Sequence, residues 1–366
     1  MKIVHTSYIN VPEFHDPEAW LDRISFYTGV LEQLAKTYQV ESIEKIKYSG
    51  ELKRNGVLYH FLRFKGRQLN FPIRLNKFIR KLKPNIVFVS GFILPIPIIL
   101  LRLQLDRKVK IIVINRSEKP FKGLKRYLQK WADKFINAYL FPSAEFGKEW
   151  VKNGNISSEK KIHEAMHGSS FFSPGDQSAA RTSLSVTGSP IFLWVGRLNA
   201  NKDPLTVVKA FIQFLRFQPL TKLYMIYQTN ELLSPINDLI EEDEKAKQSI
   251  NLIGKVTHQQ MQTWFNTADF IISGSHYEGG GIAVCEAMSC GCIPIVTNII
   301  SFRKLTGPGK CGLLYEAGNS DDLLRALLKT KDMDKEKERQ AVLRQFNEEF
   351  SFEAIAKKIK KVIAEL

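Results

Sequence analysis

The stretch that decides the fold runs from His276 to Pro294 and reads HYEGGGIAVCEAMSCGCIP. It places an acid before three glycines and a second acid eight positions after the first. The preceding DFIISGS has the apolar character of a buried strand, and IAVCEAMSCG has helical spacing. The glycines therefore belong to a loop between the carboxyl end of a strand and the amino end of a helix. Free N–H groups at such a helix end favour an anion.

The two acids of this stretch indicate a ligand that carries hydroxyl groups as well as phosphate. Gly279, Gly280 and Gly281 let the backbone approach a phosphate without a clash from a Cβ atom. Glu286 lies roughly 6 Å into the helix, where a carboxylate would repel phosphate and accept hydrogen bonds from a sugar. Glu278, at the mouth of the loop, is placed for a second sugar ring. The pattern predicts a nucleotide sugar lying across the helix end.

A second strand-to-helix loop carries two cations. In WVGRLNANKDPLTVVKAF, Arg197 and Lys202 follow a strand at Ile191–Val195 and precede a helix that begins near Pro204. Facing the glycine-rich loop, these cations would hold a diphosphate. For Arg197 and Lys202 taken alone, a solvated surface pair is the alternative.

Short apolar runs alternate with helical patterns along the chain, which predicts parallel βαβ units with helices on both faces of each sheet. The strands predicted for the first half are Lys2–Ile9, Tyr38–Ile46, Val57–Phe64, Asn85–Ser90, Lys110–Asn115, Ala138–Phe141 and Lys161–His167. Its predicted helices are Pro17–Lys36, Phe71–Leu82, Phe121–Asn137 and Ala144–Asn153. A stretch rich in Ser, Gly and Pro then interrupts the alternation. The fold class is therefore α/β, with two doubly wound domains and ligands expected in a cleft at the carboxyl ends of the strands.

GRLNANKDP, the Glu278-x7-Glu286 spacing and CEAMSCGCIPIVTN resemble the C-terminal domain of the family 4 retaining glycosyltransferases. Those enzymes have two Rossmann-like domains in the architecture called GT-B. The resemblance implies an acceptor-binding domain at residues 1–170, a linker at 171–189 and a nucleotide-sugar domain at 190–350. A terminal helix at 351–366 would cross back to pack on the first domain.

The resemblance also implies roles for individual residues. Arg197 and Lys202 would contact the donor diphosphate, Glu286 the ribose, and Glu278 the region of the transferred sugar. The backbone around 254–256 would receive the nucleobase. The predicted donor site comprises Gly196, Arg197, Lys202, Gly254, Val256, Glu278, Gly280, Gly281, Ile282 and Glu286. Glu278, Arg197 and Lys202 are the predicted catalytic residues, because such enzymes act by positioning and by stabilising the departing diphosphate.

The first half departs from the family pattern at two places. Many members have a Gly-Gly loop where this chain has SYINVPEFHDPEAW, and a His where it has Asn115, Arg116, Ser117 and Glu118. Arg116 is a candidate for helping the leaving group or the acceptor, and an ion pair with Glu118 is the alternative. His276, two residues before Glu278, is a candidate contact for the acceptor or the sugar. Other histidines such as His163 and His167 are expected to be structural.

Charge is distributed unevenly along the chain. Residues 1–172 carry 30 Lys and Arg against 15 Asp and Glu, whereas residues 173–366 carry 23 against 22. Within the first half, Phe71–Leu82 predicts an amphipathic helix with a basic polar face. An ordinary helix whose apolar side faces the sheet is the alternative. The basic half favours an anionic membrane surface. Nucleic acid is not expected, because no base-reading motif appears.

No metal or other cofactor is expected. Acids suited to a metal site do not cluster near Arg197 and Lys202, and two cations with a helix end can offset a diphosphate. Cys285, Cys290, Cys292 and Cys311 lack the spacing of zinc ligands and are expected to be buried thiols. No signal peptide is expected from the residues at the start of the sequence, and the longest apolar run falls short of a membrane span.

These observations predict a cytoplasmic glycosyltransferase, peripheral on the inner face of the membrane. It would transfer a sugar from UDP or GDP to a lipid-linked or polysaccharide acceptor, with retention of configuration, in cell-surface glycan synthesis. One alternative is a GT-B nucleotide-sugar epimerase, which needs further acid and base groups around the sugar. Another is a non-catalytic module that binds nucleotide sugars or nucleic acid.

Overall fold

The computed structural model describes residues 1–64, 72–91, 95–116 and 118–366. The chain divides into two compact units. The first consists of Met1–Ser169 together with Phe352–Leu366, and the second of Ser170–Ser351. Each unit is built on its own sheet, with helices between successive strands. The predicted α/β fold with two doubly wound domains is confirmed, and their placement around a cleft stays a prediction.

The first unit has a mixed sheet of eight described strands. They are β1 (Lys2–Ser7), β2 (Gln39–Glu44), β3 (Gly50–Arg54), β4 (Val57–Phe61), β5 (Ile86–Ser90), β6 (Lys110–Ile114), β7 (Ala138–Phe141) and β8 (Ile162–Glu164). Between them lie helices α1 (Pro17–Arg23), α2 (Ser25–Ala35), α3 (Ile73–Lys81), α4 (Pro95–Gln104), α5 (Gly123–Asp133) and α6 (Ala144–Lys152). The strand order is β3-β4-β2-β1-β5-β6-β7-β8, and every neighbouring pair is parallel except β3 with β4.

Strand β3 is missing from the sequence-based prediction. It forms an antiparallel hairpin with β4 through Asn55 and Gly56, whose φ angles are 47° and 84°. An Asn-Gly pair between two strands is a strong hairpin signal, so the sequence did carry this element. The strand has no apolar run because it lies at the edge of the sheet, where Glu51 and Lys53 are exposed.

Two predicted helices differ from those observed. Pro17–Lys36 is two helices, α1 and α2, because Ile24 between them leaves the helical conformation at φ −101° and ψ 11°. The predicted basic amphipathic helix corresponds to α3, and Phe71 lies outside the described residues. Leu75 and Ile79 of α3 are buried, so its apolar side packs within the unit, as an ordinary helix of this fold does. Its outward face remains basic.

The second unit has a sheet of six strands, all parallel. They are β9 (Ile191–Gly196), β10 (Lys222–Tyr227), β11 (Ile250–Gly254), β12 (Phe270–Ser273), β13 (Ile293–Thr297) and β14 (Leu313–Tyr315). The helices are α7 (Gln177–Ser183), α8 (Pro204–Phe214), α9 (Leu233–Glu241), α10 (Glu244–Ser249), α11 (His258–Thr267), α12 (Ile282–Ser289), α13 (Ile300–Thr306), α14 (Ser320–Lys329) and α15 (Lys335–Glu349). The strand order is β11-β10-β9-β12-β13-β14.

The stretch expected to be a linker, residues 171–189, folds as part of the second unit. The backbone N–H of Gly175 donates to Asn266 Oδ1 at 2.8 Å. From α7, Arg181 donates to the carbonyl of Thr267 and to Asp269 Oδ2, each at 2.9 Å. The Asp269 side chain is only 9% exposed, and a buried carboxylate needs such a partner. The Ser- and Gly-rich composition therefore marks an irregular but anchored segment.

The last helix, α16 (Phe352–Glu365), belongs to the first unit and packs against α2. Phe352, Ile355 and Ile359 are buried on its inner side. Gly29 of α2 makes this approach possible, because a Cβ atom there would lie 2.6 Å from the Phe352 ring.

Candidate functional site

The second unit has one point where its strand order reverses. From β9 the chain runs outward to β10 and β11, then returns to β12 on the other side of β9 and continues to β14. In open α/β sheets the carboxyl ends of the two strands at such a point leave a crevice for a ligand. The loops after β9 and β12 are the two that sequence analysis singled out.

The loop after β9 is held in a defined shape. The N–H of Lys202 donates to the carbonyl and to Oδ1 of Asn199, both at 3.1 Å. Asp203 follows with a positive φ of 42° and caps α8 by accepting from the N–H of Thr206 at 3.2 Å. A Cβ atom on Gly196 would lie 3.5 Å from Cγ of Lys202. The stem of Lys202 therefore lies beside the end of β9.

The loop after β12 packs directly on the loop after β9. The N–H of His276 donates to the carbonyl of Asn201 at 2.8 Å, and Asn201 Nδ2 donates to the carbonyl of Tyr277 at 3.1 Å. Gly274 allows the close approach, because a Cβ atom there would lie 2.8 Å from the carbonyl oxygen of Asp203. The two loops form one connected surface.

Lys202 and Glu278 meet on this surface. Nζ of Lys202 and Oε1 of Glu278 form a short ion pair, in which the side chains are 24% and 16% exposed. Ser275 Oγ donates to the same Oε1 at 2.8 Å, and Ser301 Oγ donates to the carbonyl of Glu278. The structure thus brings together two predicted catalytic residues that lie 76 positions apart. The predicted contact of Glu278 with the transferred sugar stays a prediction.

The amino end of α12 presents backbone N–H groups without a side-chain cap. Gly281 occupies the cap position with φ 63°, a conformation that favours glycine. A Cβ atom there would also lie 2.8 Å from the Phe302 ring. The first N–H groups of a helix have no partner within it, so Ile282 begins a turn whose donors are available to an anion. The anion site at Gly280 and Gly281 stays a prediction.

Glu286, one turn into α12, contacts a residue that sequence analysis missed. Nε2 of His258 lies 3.2 Å from Oε1 of Glu286, and the two side chains are 55% and 13% exposed. His258 begins α11, whose cap Thr257 forms a reciprocal pair with Gln260. The Thr-x-x-Gln spacing predicts a helix start there, so the sequence held a signal for a side chain at this position.

The predicted nucleobase loop lies just before this helix. Gly254 ends β11 with φ 78°, and a Cβ atom there would meet no atom within 4 Å. Val256 is partly exposed. The contact between His258 and Glu286 joins this loop to α12, so both predicted nucleoside contacts lie on one side of the site.

Arg197 belongs to the same loop as Lys202, and His276 to the same loop as Glu278. Arg197 is exposed and makes no ion pair with any of the described residues. Nε2 of His276 lies 3.2 Å from Oδ2 of Asp203, and the histidine side chain is 47% exposed. Arg197 is thus free to meet an anion, and His276 is oriented by Asp203 at the edge of the site.

Arg116 lies in the first unit, over aromatic rings. Its guanidinium is 5.2 Å from the ring centre of Tyr27 and 5.9 Å from that of Phe26. Its backbone N–H, at 2.7 Å, donates to the Glu118 carboxylate. The contact with Glu118 therefore exists through the main chain, and the guanidinium takes part in cation–π contacts.

Close to Arg116 the structure buries titratable groups that sequence analysis did not connect. His5 lies 2.9 Å from the hydroxyls of both Ser42 and Ser90. Burial, together with the charge of Arg116, lowers the pKa of His5 to about 3 and that of His167 to about 4. Both histidines line a cavity of about 20 Å³. Both are neutral at physiological pH.

Neither a metal site nor a membrane span is found in the described ranges. No group of three or more His, Cys, Asp or Glu in them is arranged to hold a metal ion. Metal-independence stays a prediction. The four cysteines are buried free thiols whose pKa burial raises. No helix among these residues is both long enough and apolar enough to cross a bilayer.

Comparison with known proteins agrees with this geometry. Residues 176–345 match the family model of the glycosyl transferases group 1. D-inositol 3-phosphate glycosyltransferase of Kribbella flavida is 25% identical over 43% of this chain and 39% of its own length. Alpha-monoglucosyldiacylglycerol synthase of Acholeplasma laidlawii is 21% identical over 70% of this chain and 69% of its own. The Anabaena protein HepE in complex with UDP superposes with a TM-score of 0.74 at 14% identity, covering 100% of both chains.

Residues 176–345, which make up most of the second unit, match that family model, and the whole chain has the two-domain GT-B fold. The predicted resemblance to glycosyltransferases is confirmed at this level. The chain spans about two fifths of the length of the curated relatives it matches first. Assignment to family 4, the retaining outcome and the donor remain predictions.

Proposed function

We propose that this protein transfers a sugar from a nucleoside-diphosphate sugar, UDP or GDP, to a hydroxyl group of a lipid-linked or polysaccharide acceptor. Configuration at the transferred sugar is retained, and the product enters a cell-surface glycan. The observation that carries the proposal is the contact of Lys202 with Glu278 at the strand-order reversal, beside the uncapped end of α12. The matched glycosyl transferases group 1 domain and the UDP-bound Anabaena structure support it.

The diphosphate is assigned to the surface between the two loops. Lys202 has three N–H donors, so it can keep its contact with Glu278 while donating to a phosphate oxygen. Arg197 adds an exposed guanidinium that matches a phosphate in geometry. The first N–H groups of α12 complete a site with two cations and a positive helix end. This charge offsets that of a diphosphate without a metal ion.

The nucleoside is assigned to the side of the site formed by α11 and α12. Glu286 is held by His258 through Oε1, so its carboxylate is oriented before a ligand arrives. A ribose hydroxyl can donate to such a carboxylate. The open backbone at Gly254 lets a base approach main-chain groups, which fits recognition through the backbone.

The chemistry follows from stabilising the leaving group. The bond between the anomeric carbon of the sugar and the diphosphate oxygen breaks, and a bond from the acceptor oxygen forms on the same face of the sugar. The proton of the acceptor hydroxyl passes to the departing diphosphate oxygen. Lys202 and Arg197 stabilise the negative charge that develops there. The products are the nucleoside diphosphate and a glycoside, and no protein base is required.

The location follows from the acceptor. Alpha-monoglucosyldiacylglycerol synthase of Acholeplasma laidlawii is similar to this chain over 70% of its length, which is more than either unit comprises. Nucleotide sugars and the strongly basic first half are consistent with a cytoplasmic enzyme held on the inner face of a membrane. We assign the acceptor to the first unit.

Calorimetric titration with UDP, GDP and ADP tests the proposal. One nucleotide is expected to bind, and Lys202→Ala or Glu286→Ala should weaken it about 10- to 100-fold, because a hydrogen bond to a charged group contributes about 1.5–3 kcal/mol. Lys209→Ala and Glu231→Ala remove exposed charges of the same unit and should leave binding unchanged. Absence of binding to all three nucleotides would overturn the proposal. If the protein converted an added nucleotide sugar into its epimer without an acceptor, an epimerase would replace the proposed transferase.

A further inference from the structure

Helix α5 of the first unit is amphipathic, but its apolar stripe faces solvent and its polar side faces the interior. Three of its four large apolar side chains point outward: Leu124 is 75% exposed, Tyr127 62% and Trp131 51%, whereas Leu128 is partly exposed. Its inward side carries small or polar residues, since Gln129, Ala132 and Asp133 are buried. A surface helix ordinarily buries its apolar stripe, so the outward stripe of α5 is not explained by the packing of the unit.

The buried polar side of α5 is fully engaged. Gln129 Nε2 donates to the hydroxyl of Tyr139 at 3.1 Å, and that hydroxyl donates to Asp133 Oδ1 at 2.8 Å. Lys161 lies 3.2 Å from the same carboxylate oxygen. These contacts fix the orientation of the helix, so its apolar stripe is held toward solvent.

Basic side chains surround this stripe. Lys122, Lys125, Arg126, Lys130 and Lys134 are all exposed within or beside α5. The one acid of this segment, Asp133, is buried and paired with Lys161. The guanidinium of Arg126 lies 5.0 Å from the centre of the Tyr127 ring. The outward face of α5 therefore combines apolar and cationic groups and shows no exposed carboxylate.

The same composition continues onto the neighbouring helices. Helix α4 packs beside both α3 and α5, and Ile96 and Leu103 on it are 46% and 74% exposed. On α3, Ile73 is 45% exposed beside basic residues. Of the twelve large hydrophobic side chains that the described residues expose, six lie on these three helices. The outward sides of these three neighbouring helices are here called the α3–α5 face.

We propose that the α3–α5 face docks on a bilayer that contains anionic lipids, with Leu124, Tyr127 and Trp131 inserted at the headgroup level. Tyr and Trp favour that level because each has an apolar ring and a polar atom. Lysines and arginines around them match anionic headgroups. This inference deepens the proposed function, since it places the first unit where a lipid-linked acceptor is found.

The charge of the face favours a bilayer over other occupants. A second copy of the chain would bring two positive faces together, and like charges oppose that contact. Nucleic acid would match the charge but would leave the aliphatic Leu103 and Leu124 without a partner. A bilayer satisfies both the charged and the apolar groups.

Co-sedimentation of the full chain with vesicles tests the docking surface. Binding is expected to vesicles of phosphatidylcholine with about one third phosphatidylglycerol, to weaken with salt, and to be much weaker with phosphatidylcholine alone. Leu124→Ser with Trp131→Ser should lower the vesicle partition constant at least tenfold. Lys125→Gln with Lys130→Gln should lower it about 25-fold, at about fivefold per basic residue.

Matched controls come from the second unit. Phe217 and Leu220 are 59% and 73% exposed, and Phe217→Ser with Leu220→Ser should leave vesicle binding unchanged. An equal loss in this control, or full binding by the α5 variants, would overturn the inference. So would a dimer, seen by sedimentation equilibrium without vesicles, that the α5 variants dissociate while vesicle binding persists.

Nucleotide titration separates this inference from the proposed function. The α5 variants should bind UDP or GDP as the unmodified chain does, which also shows that they fold. Vesicle binding without any nucleotide binding would overturn the proposed function and leave the docking surface standing. Nucleotide binding with no affinity for anionic vesicles would overturn the docking surface and leave the proposed function standing.

Discussion

Replacing Gly274 by alanine tests whether contact between the two loops positions the site. A Cβ atom at Gly274 would lie 2.8 Å from the carbonyl oxygen of Asp203 and 3.1 Å from that of Lys202. Both atoms belong to the backbone, so a side-chain rotation cannot relieve the overlap. The loop after β9 has to move away from the loop after β12 by several tenths of an ångström.

Such a displacement has two expected consequences. Overpacking of this kind costs about 1–3 kcal/mol of the free energy of unfolding. It also moves Lys202 relative to Glu278, and a misplacement of about 1 Å in an active site can lower the catalytic rate about 100-fold. We therefore expect Gly274→Ala to weaken nucleotide binding at least tenfold, measured by calorimetry at a temperature where circular dichroism shows the variant folded.

Gly309→Ala is the matched control for Gly274→Ala. Gly309 lies in the same unit with φ 76° and has no atom within 4 Å of a Cβ position, so its replacement strains the backbone without a clash. It should lower stability in urea unfolding but leave nucleotide affinity unchanged. Nucleotide affinity of Gly274→Ala within twofold of the unmodified chain would refute the idea that this loop contact positions Lys202.

Two further predictions concern pH and metal. The pKa values of His5 and His167 are lowered to about 3 and about 4 in the folded protein, so between these values and about 6.5 the unfolded chain binds more protons. Stability should be full above about pH 6.5 and fall as pH drops toward 4, by up to about 1.4 kcal/mol per pH unit for each histidine. His167→Gln should flatten this slope in urea titrations, and an unchanged slope would contradict the assignment. Turnover with a defined acceptor should be undiminished in excess EDTA, and loss restored by Mg²⁺ or Mn²⁺ would contradict metal-independence.

The fold was accessible from the sequence because its signals are local. Apolar runs, helical spacing and glycine-rich loops each extend over a few residues, and they predict both doubly wound units. The hairpin at Asn55 and Gly56 was also encoded locally, but its edge strand has no apolar run. The segment at 171–189 was misread as a linker because its anchors, such as Asn266, lie about 90 positions away.

The site was less accessible because it depends on which strands are neighbours. The sequence identified Lys202 and Glu278 as charged residues in loops that follow strands. Their contact, however, follows from the pairing of β12 with β9. The role of His258 depends in the same way on α11 lying beside α12. Helix α5 was predicted as a helix, yet the direction of its apolar stripe became visible only with the buried contacts of Asp133.

The position of α16 has a consequence for synthesis of the chain on the ribosome. The first unit begins at Met1 but needs Phe352–Leu366 to cover α2, and the second unit is inserted between these two parts. Because domains fold as units once their residues have emerged, Ser170–Ser351 can complete its sheet while the first unit still exposes the part of α2 that α16 later covers. The second unit can thus finish folding before the first unit, although most of the first unit is synthesised earlier.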